Sequence, residues 1–221
     1  MKILVLILTS DSEIYNVYQQ LWASYMNLDP NIRCYFYKAD PTLDVPIRKI
    51  GNNIIVRMEE SWSTLYKKTV EVFKYLHDTF DNYDFVLRTN MSSFYRFNKY
   101  LEACEQFPKE NFCTGVVGLH DGQRFPSGCG FTVSTDVARL IAQCPIETDL
   151  NDDVAIGKVL TTNNIPIVNT SRYNIKIGET VDDIVTDEYH FRVNTANEGG
   201  DRWDDLKTYK KLIKKYYPEL P

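Results

Sequence analysis

No G-x-G-x-x-G follows the first apolar run of this chain and no Walker A lysine motif occurs in it, so neither a dinucleotide oxidoreductase nor a P-loop enzyme has its direct sequence support. The Gly-rich, basic loop expected after the first strand of a nucleotidyltransferase that makes activated sugars is also missing. Basic charge is in short supply: 25 Lys and Arg against 30 Asp and Glu leave a formal charge of −5 and a pI near 5.3. A protein of that balance is poorly suited to displace counterions from a phosphate backbone, which argues against a nucleic-acid partner. The cysteines, Cys34, Cys104, Cys113, Cys129 and Cys144, are odd in number and show no C-x-x-C spacing. They read as reduced core thiols rather than as disulfides or a zinc site. The amino-terminal apolar run over 3–8 is short even for a signal-peptide core and meets Thr9, Ser10 and Asp11 instead of a small-residue cleavage site. No other stretch is long enough to span a bilayer. No repeat, low-complexity tract or Pro/Gly-rich linker divides the sequence. With 43% hydrophobic and 13% aromatic residues it is expected to form one domain, 1–221, around one large core.

What is present is an alternation of strand and helix patterns. A strand over 3–8 precedes a helical stripe at Ile14, Val17, Tyr18, Leu21, Tyr25 and Leu28, with Ser10 and Glu13 spaced as a capping box. Strands are expected over 34–37 and 53–57. A long helix then carries Leu65, Thr69, Val72, Phe73, Leu76 and Phe80 on its buried side, and a strand follows over 84–87. Phe94, Phe97, Leu101 and Cys104 continue as a further helical stripe. Strands over 113–119 and 131–134 flank a turn-rich loop over 121–130. Helices over 135–143 and 152–162, a strand over 165–169 and a helix over 203–217 complete the chain. The pattern predicts a three-layer α/β/α fold with a mixed, mostly parallel sheet and an antiparallel insertion in its second half.

In open α/β sheets ligands bind beyond the carboxyl ends of the strands. The run Y-D-F-V-L-R-T-N-M-S-S-F over 83–94 therefore marks the candidate site, because a buried strand there meets Arg88, Thr89, Asn90, Ser92 and Ser93. Two further segments follow in order: Phe125-Pro126-Ser127-Gly128-Cys129-Gly130-Phe131, and Asn151-Asp152-Asp153-Val154-Ala155-Ile156-Gly157. Together the three resemble the GT-A glycosyltransferases, most closely the β-1,3-galactosyltransferase and fringe-like group, over roughly 53–192. In that group a strand ending in an acidic triplet is followed by a C-S-G-G-G-Y-V-L-S-like loop and then by E-D-V-x-x-G. Glu60-Ser61-Trp62 and Lys68-Thr69 are similar to the group's D-S-Y and K-T positions. A chlorella-virus capsid glycosyltransferase domain is a further likeness.

The resemblance implies an inverting glycosyltransferase that moves a sugar from a UDP-sugar to a hydroxyl of a glycan or glycoprotein. Asp153 matches the group's general base, and Asp152 either orients the acceptor or caps its helix. Gly128 and Gly130 either let the backbone approach the donor sugar or form a tight turn. Thr9, Ser10 and Asp11 match the nucleoside site, and Asp40 the ribose or base contact. Lys68, Arg88, Thr89, Asn90 and Ser92 complete the donor site, with Arg88 able to neutralise the phosphates or to pair with a neighbouring acid. The chain departs from the group at the acidic triplet, which reads Asn90-Met91-Ser92. Hard cations favour carboxylate oxygens, so Mn²⁺ or Mg²⁺ would rest on the diphosphate, water, Ser92 and His190. Relatives in the Golgi carry a membrane anchor. Without one, the expected setting is the cytoplasm of a bacterium or of a virus-infected host cell, whether alone or as one domain of a longer chain. A catalytically inactive relative that binds nucleotide or glycan is the alternative, supported by the neutral triplet.

Overall fold

The computed structural model describes residues 1–144 and 150–220. Its elements run β1 (Ile3–Leu8), α1 (Glu13–Tyr25), β2 (Ile32–Ala39), β3 (Ile47–Ile50), β4 (Asn53–Val56), α2 (Leu65–Leu76), β5 (Phe85–Asn90), β6 (Ser93–Tyr95), α3 (Phe97–Cys104), β7 (Cys113–His120) and β8 (Gln123–Ser134). They continue with α4 (Thr135–Gln143), α5 (Asp152–Thr162), β9 (Ile167–Asn169), β10 (Tyr173–Asn174), β11 (His190–Arg192) and α6 (Arg202–Tyr216).

Side chains alternate across a strand with period two, and β1 uses both of its faces. Ile3, Val5 and Ile7 join one core with Trp22 of α1 and Leu212 of α6, while Leu4 and Leu6 join another with Phe73 of α2, Ile141 of α4 and Leu160 of α5. Those two cores make the three layers. The main sheet has the order β3-β4-β2-β1-β5-β8-β7-β9. The pairs β4/β2, β2/β1, β1/β5 and β7/β9 are parallel, and β3/β4, β5/β8 and β8/β7 are antiparallel. From β1 the chain proceeds to β2 on one side and later to β5 on the other. This is the strand-order reversal that opens a crevice at the carboxyl ends of an α/β sheet.

Several elements differ from their sequence expectation. The stretch 121–130 is not a loop: Asp121 and Gly122, at φ 48° and 79°, turn tightly, and β8 begins at Gln123. Two successive positive φ values suit the twist of a hairpin, and Asp-Gly tolerates them. The first helix is capped by Ser12, whose hydroxyl accepts from the Tyr15 amide at 3.4 Å, so the Ser10–Glu13 box does not form. The long helix ends at Leu76 and passes Phe80 to the core from a 3₁₀ turn over His77–Asn82. Phe94 sits in β6, opposite Phe191 of β11, rather than on the α3 stripe.

A small second sheet, β10-β11-β6, lies under the helix pair α1 and α6. Its tie to α6 is made through hydroxyls. Tyr209 donates to the Ser93 carbonyl at 2.7 Å, and Tyr217, just past α6, donates to the Tyr95 carbonyl at 2.8 Å while accepting from the Phe97 amide at 2.9 Å. Tyr25 of α1 shares a 2.7 Å hydrogen bond with Tyr209.

Candidate active site

A cleft of about 540 Å³ opens at the carboxyl ends of β1 and β5, within the size range of small-molecule sites. Thr9 and Ser10 extend from β1 into its wall, and Arg88, Asn90 and Ser92 come from β5 and the residues after it. The opposite wall comes from Ser127, Gly128 and Cys129 of β8 and from Asn151, Asp152 and Asp153 at the start of α5. Glu60 and Trp62 reach the rim from the segment before α2, with Trp62 80% exposed.

Arg88 is spent inside this wall. It is fully buried; its Nε donates to Tyr37 Oη at 3.1 Å, its Nη1 to the Gly128 carbonyl and its Nη2 to Asp152. Burial pulls the guanidinium pKa down, but Asp152 and Tyr37 outweigh it and push it up on balance. Of the two roles open to it, Arg88 takes the ion pair.

Asp152 and Asp153 occupy the first turn of α5, where acids complement the helix dipole. Neither is the cap residue, which is Asn151. Asp152 is committed to Arg88. Asp153 Oδ2 accepts from the Gly128 amide and its Oδ1 from the Val154 amide, both at 3.0 Å. Burial and the neighbouring Asp152 raise the Asp153 pKa above the ordinary carboxylate value, against the opposing pull of the Gly128 amide and Arg88. A carboxylate facing a cleft with raised basicity has the makings of a general base.

Neither glycine makes a turn, since both lie within β8. A Cβ on Gly128 would sit 3.0 Å from Arg88 Nη1 and 3.2 Å from Asp153 Oδ2, which explains glycine in the wall between those charges. Gly130 faces away from the cleft, and a Cβ there would meet Tyr95 Oη at 2.0 Å. Gly130→Ala is therefore expected to destabilise the fold by about 1–3 kcal/mol, the scale of overpacking a filled core. A urea titration reads this, and an unchanged midpoint would show that Tyr95 moves aside freely.

The cleft thus brings together Thr9, Ser10, Arg88, Asn90, Ser92, Gly128, Asp152 and Asp153. Five expected binding residues lie outside its lining. Asp11 pairs with Lys38, and Asp40 folds back onto Thr42, whose hydroxyl and then backbone amide hold its carboxyl below the usual range. Lys68 is fully buried against Glu60 at 2.5 Å and presents Glu60, rather than itself, to the cleft. Thr89 Oγ1 holds the Cys129 carbonyl at 2.7 Å, and Gly130 packs as described. Residues missed include Tyr15, Arg192 and Asn194, which line the cleft. No local sequence signal sets Arg192 apart, because its place at the cleft comes from the pairing of β11 with β6.

The residues expected to hold a divalent cation do not fit one. His190 is buried outside the cleft, stacked on Tyr95 with ring centroids 4.5 Å apart and hydrogen-bonded to Ser93 Oγ at 3.2 Å. Burial, then Arg172 and Arg192, hold it neutral by lowering its pKa. Asn90 Oδ1 accepts from the Ser92 amide and from Arg192 Nη1, both at 3.1 Å, and Ser92 Oγ accepts from Arg202 Nη2 at 3.2 Å. The two oxygens therefore face cationic donors. No group of three or more His, Cys, Asp or Glu able to hold a metal occurs among the described residues. All five cysteines are free thiols.

No protein-family model matches the chain, and no curated protein matches it in sequence. A solved structure, that of a glycosyltransferase involved in the glycosylation of the major capsid of PBCV-1, is similar to it with a TM-score of 0.53 at 10% identity, covering 96% of this chain and 100% of that one. The likeness is one of fold. The central mixed sheet flanked by helices is a GT-A-like arrangement, and among the described residues no helix is long and apolar enough to cross a membrane. Membership of the fringe-like group has no support beyond the motifs.

Proposed function

We propose that the protein is a glycosyltransferase that takes a sugar from a UDP-sugar and passes it, with inversion, to a hydroxyl of a glycan or glycoprotein. The observation that carries this reading is Asp153, a carboxylate of raised pKa at the strand-order reversal of a GT-A-like fold. In a single displacement Asp153 takes the proton of the acceptor hydroxyl as its oxygen bonds to the anomeric carbon. The bond to the donor diphosphate breaks, and its electron pair leaves with UDP. Thr9 and Ser10 stand where the nucleoside would lie, and exposed Trp62 offers a flat apolar face at the rim for a base or sugar ring. The capsid-glycosylating neighbour supports a glycoprotein-borne acceptor.

The neutral Asn90 and Ser92 favour one other reading, an inactive relative that binds nucleotide or glycan without transfer. Incubation with a panel of nucleotide sugars and release of free UDP tests the choice. Release with one or more UDP-sugars supports transfer, and binding without release supports the inactive relative. UDP is also expected to raise the melting temperature, since a ligand that binds only the folded state stabilises it by mass action. A shift with ADP or GDP but none with millimolar UDP would overturn the donor assignment.

A further inference from the structure

Four guanidinium groups converge near the cleft, and they differ in what balances them. Arg88 is paired with Asp152 and Arg202 with Asp205. Arg192 and Arg172 have no carboxylate within ion-pair distance among the described residues. Arg192 donates to Asn90 Oδ1 at 3.1 Å, and Arg172 to Ser127 Oγ at 3.0 Å and Asn174 Oδ1 at 2.9 Å, all neutral acceptors. Arg192 is half-buried and lines the cleft. Burial and the like charges of Arg172 and Arg202 act against its protonated form. A cation partly withdrawn from water without a counter-charge is costly, and a fold that keeps one at the wall of a cleft suits an anion that arrives with the ligand.

We propose that Arg192 binds the diphosphate of the donor directly and takes the place of a divalent cation, so that donor binding is metal-independent. The inference rests on the reading of this cleft as a nucleotide-sugar site. Asn90 aims Arg192 by accepting from Nη1, which leaves the rest of a planar fork suited to phosphate oxygens. Arg202 holds Ser92 beside it, and Arg172 reinforces the positive field from behind Ser127. An aspartate at position 90 would defeat this arrangement, because its carboxylate would stand next to the guanidinium and neutralise it. The neutral triplet and the unpaired arginine therefore belong together: each makes sense of the other. When the glycosidic bond breaks, the negative charge that accumulates on the leaving diphosphate falls on Arg192.

Calorimetry with UDP and with inorganic pyrophosphate, each in EDTA and in Mn²⁺, tests the inference on the full chain. Wild-type protein is expected to bind both in EDTA, with no gain from Mn²⁺. Arg192→Gln should weaken both by about tenfold to a hundredfold, the size of one lost charge-assisted contact. Asn90→Asp, which preserves side-chain volume, should weaken both in EDTA by about tenfold and serves if Arg192→Gln fails to fold. UDP binding that requires Mn²⁺, or wild-type UDP affinity in a folded Arg192→Gln or Asn90→Asp variant, overturns the inference and leaves the donor reading standing. Pyrophosphate binding that depends on Arg192, with UDP bound no more tightly than pyrophosphate, keeps the anion site and removes the nucleotide reading. Failure of both ligands under both conditions overturns both.

Discussion

Asp153→Asn is expected to lower the rate of sugar transfer by about two to four orders of magnitude, the usual scale for loss of a general base. The amide oxygen keeps an acceptor for the Gly128 N–H, which Asp153 Oδ2 now takes at 3.0 Å, and only the Val154 N–H at Oδ1 loses its partner, so the cleft keeps its shape and UDP affinity should change little. A fall in kcat with UDP binding intact is the signature of a group that acts in the transition state. Asp152→Asn acts through Arg88, and its loss should appear in stability as well as in rate. The pH dependence has a definite sign. Only the ionised Asp153 accepts a proton, and burial raises its pKa, so transfer should fall on acidification with a midpoint above that of an ordinary carboxylate. The same shift makes the ionised group a burden on the fold. Because the folded pKa exceeds the unfolded one, stability falls as pH rises from the unfolded value through the folded value. This fall in stability with rising pH should be missing from Asp153→Asn, which a comparison of melting temperatures in mild acid and at neutral pH reads. Near-normal transfer by the variant, or retention of anomeric configuration in the product by NMR, would sink the inverting scheme.

Arg88→Met is expected to destabilise the protein by about 3–5 kcal/mol, the cost of leaving one partner of a buried ion pair without the other. Asp152 is only 6% exposed and forms no ion pair except with Arg88 among the described residues, while the Gly128 carbonyl and Tyr37 Oη lose a donor at the same time. Adding Asp152→Asn should recover a large share, because it removes the stranded charge. The interaction energy from such a double-mutant cycle, read by urea unfolding, isolates the pair. A single variant of wild-type stability would mean that water or α5 relaxes around Asp152. Activity should be lost in the single variant in any case, since Asp153 is adjacent to Asp152 and shares its helical turn.

The elements legible in the sequence are those that local pattern decides. β1 begins and ends with a continuous apolar run because both of its faces are buried, and α4 and α5 begin and end with the helical patterns that bury them. β6, β10 and β11 are two or three residues long and exist through their pairing, which no local window contains. The Gly-rich stretch before Phe131 read as a loop because glycine usually marks a turn, whereas here it makes room for Arg88, Asp153 and Tyr95. The site follows the same rule. Asp152, Asp153, Asn90 and Ser92 were visible as a family-like series. That Arg88 would be consumed by Asp152, 64 residues away, and that Arg192 would meet Asn90, 102 residues away, required the fold.

The hydroxyl ties between α6 and β6 have a consequence for how the protein is made. Tyr209 and Tyr217 reach the Ser93 and Tyr95 carbonyls across 116 and 122 residues, and Arg202 reaches Ser92 across 110. Contacts of that sequence separation close late, after local elements have formed. During vectorial synthesis the amino-terminal strands can pair as they emerge, but the wall holding Asn90, Ser92 and Arg192 stays unbraced until α6 has left the ribosome. On the proposed reading of the cleft, a nascent chain is expected to gain nucleotide binding only once α6 has emerged and docked.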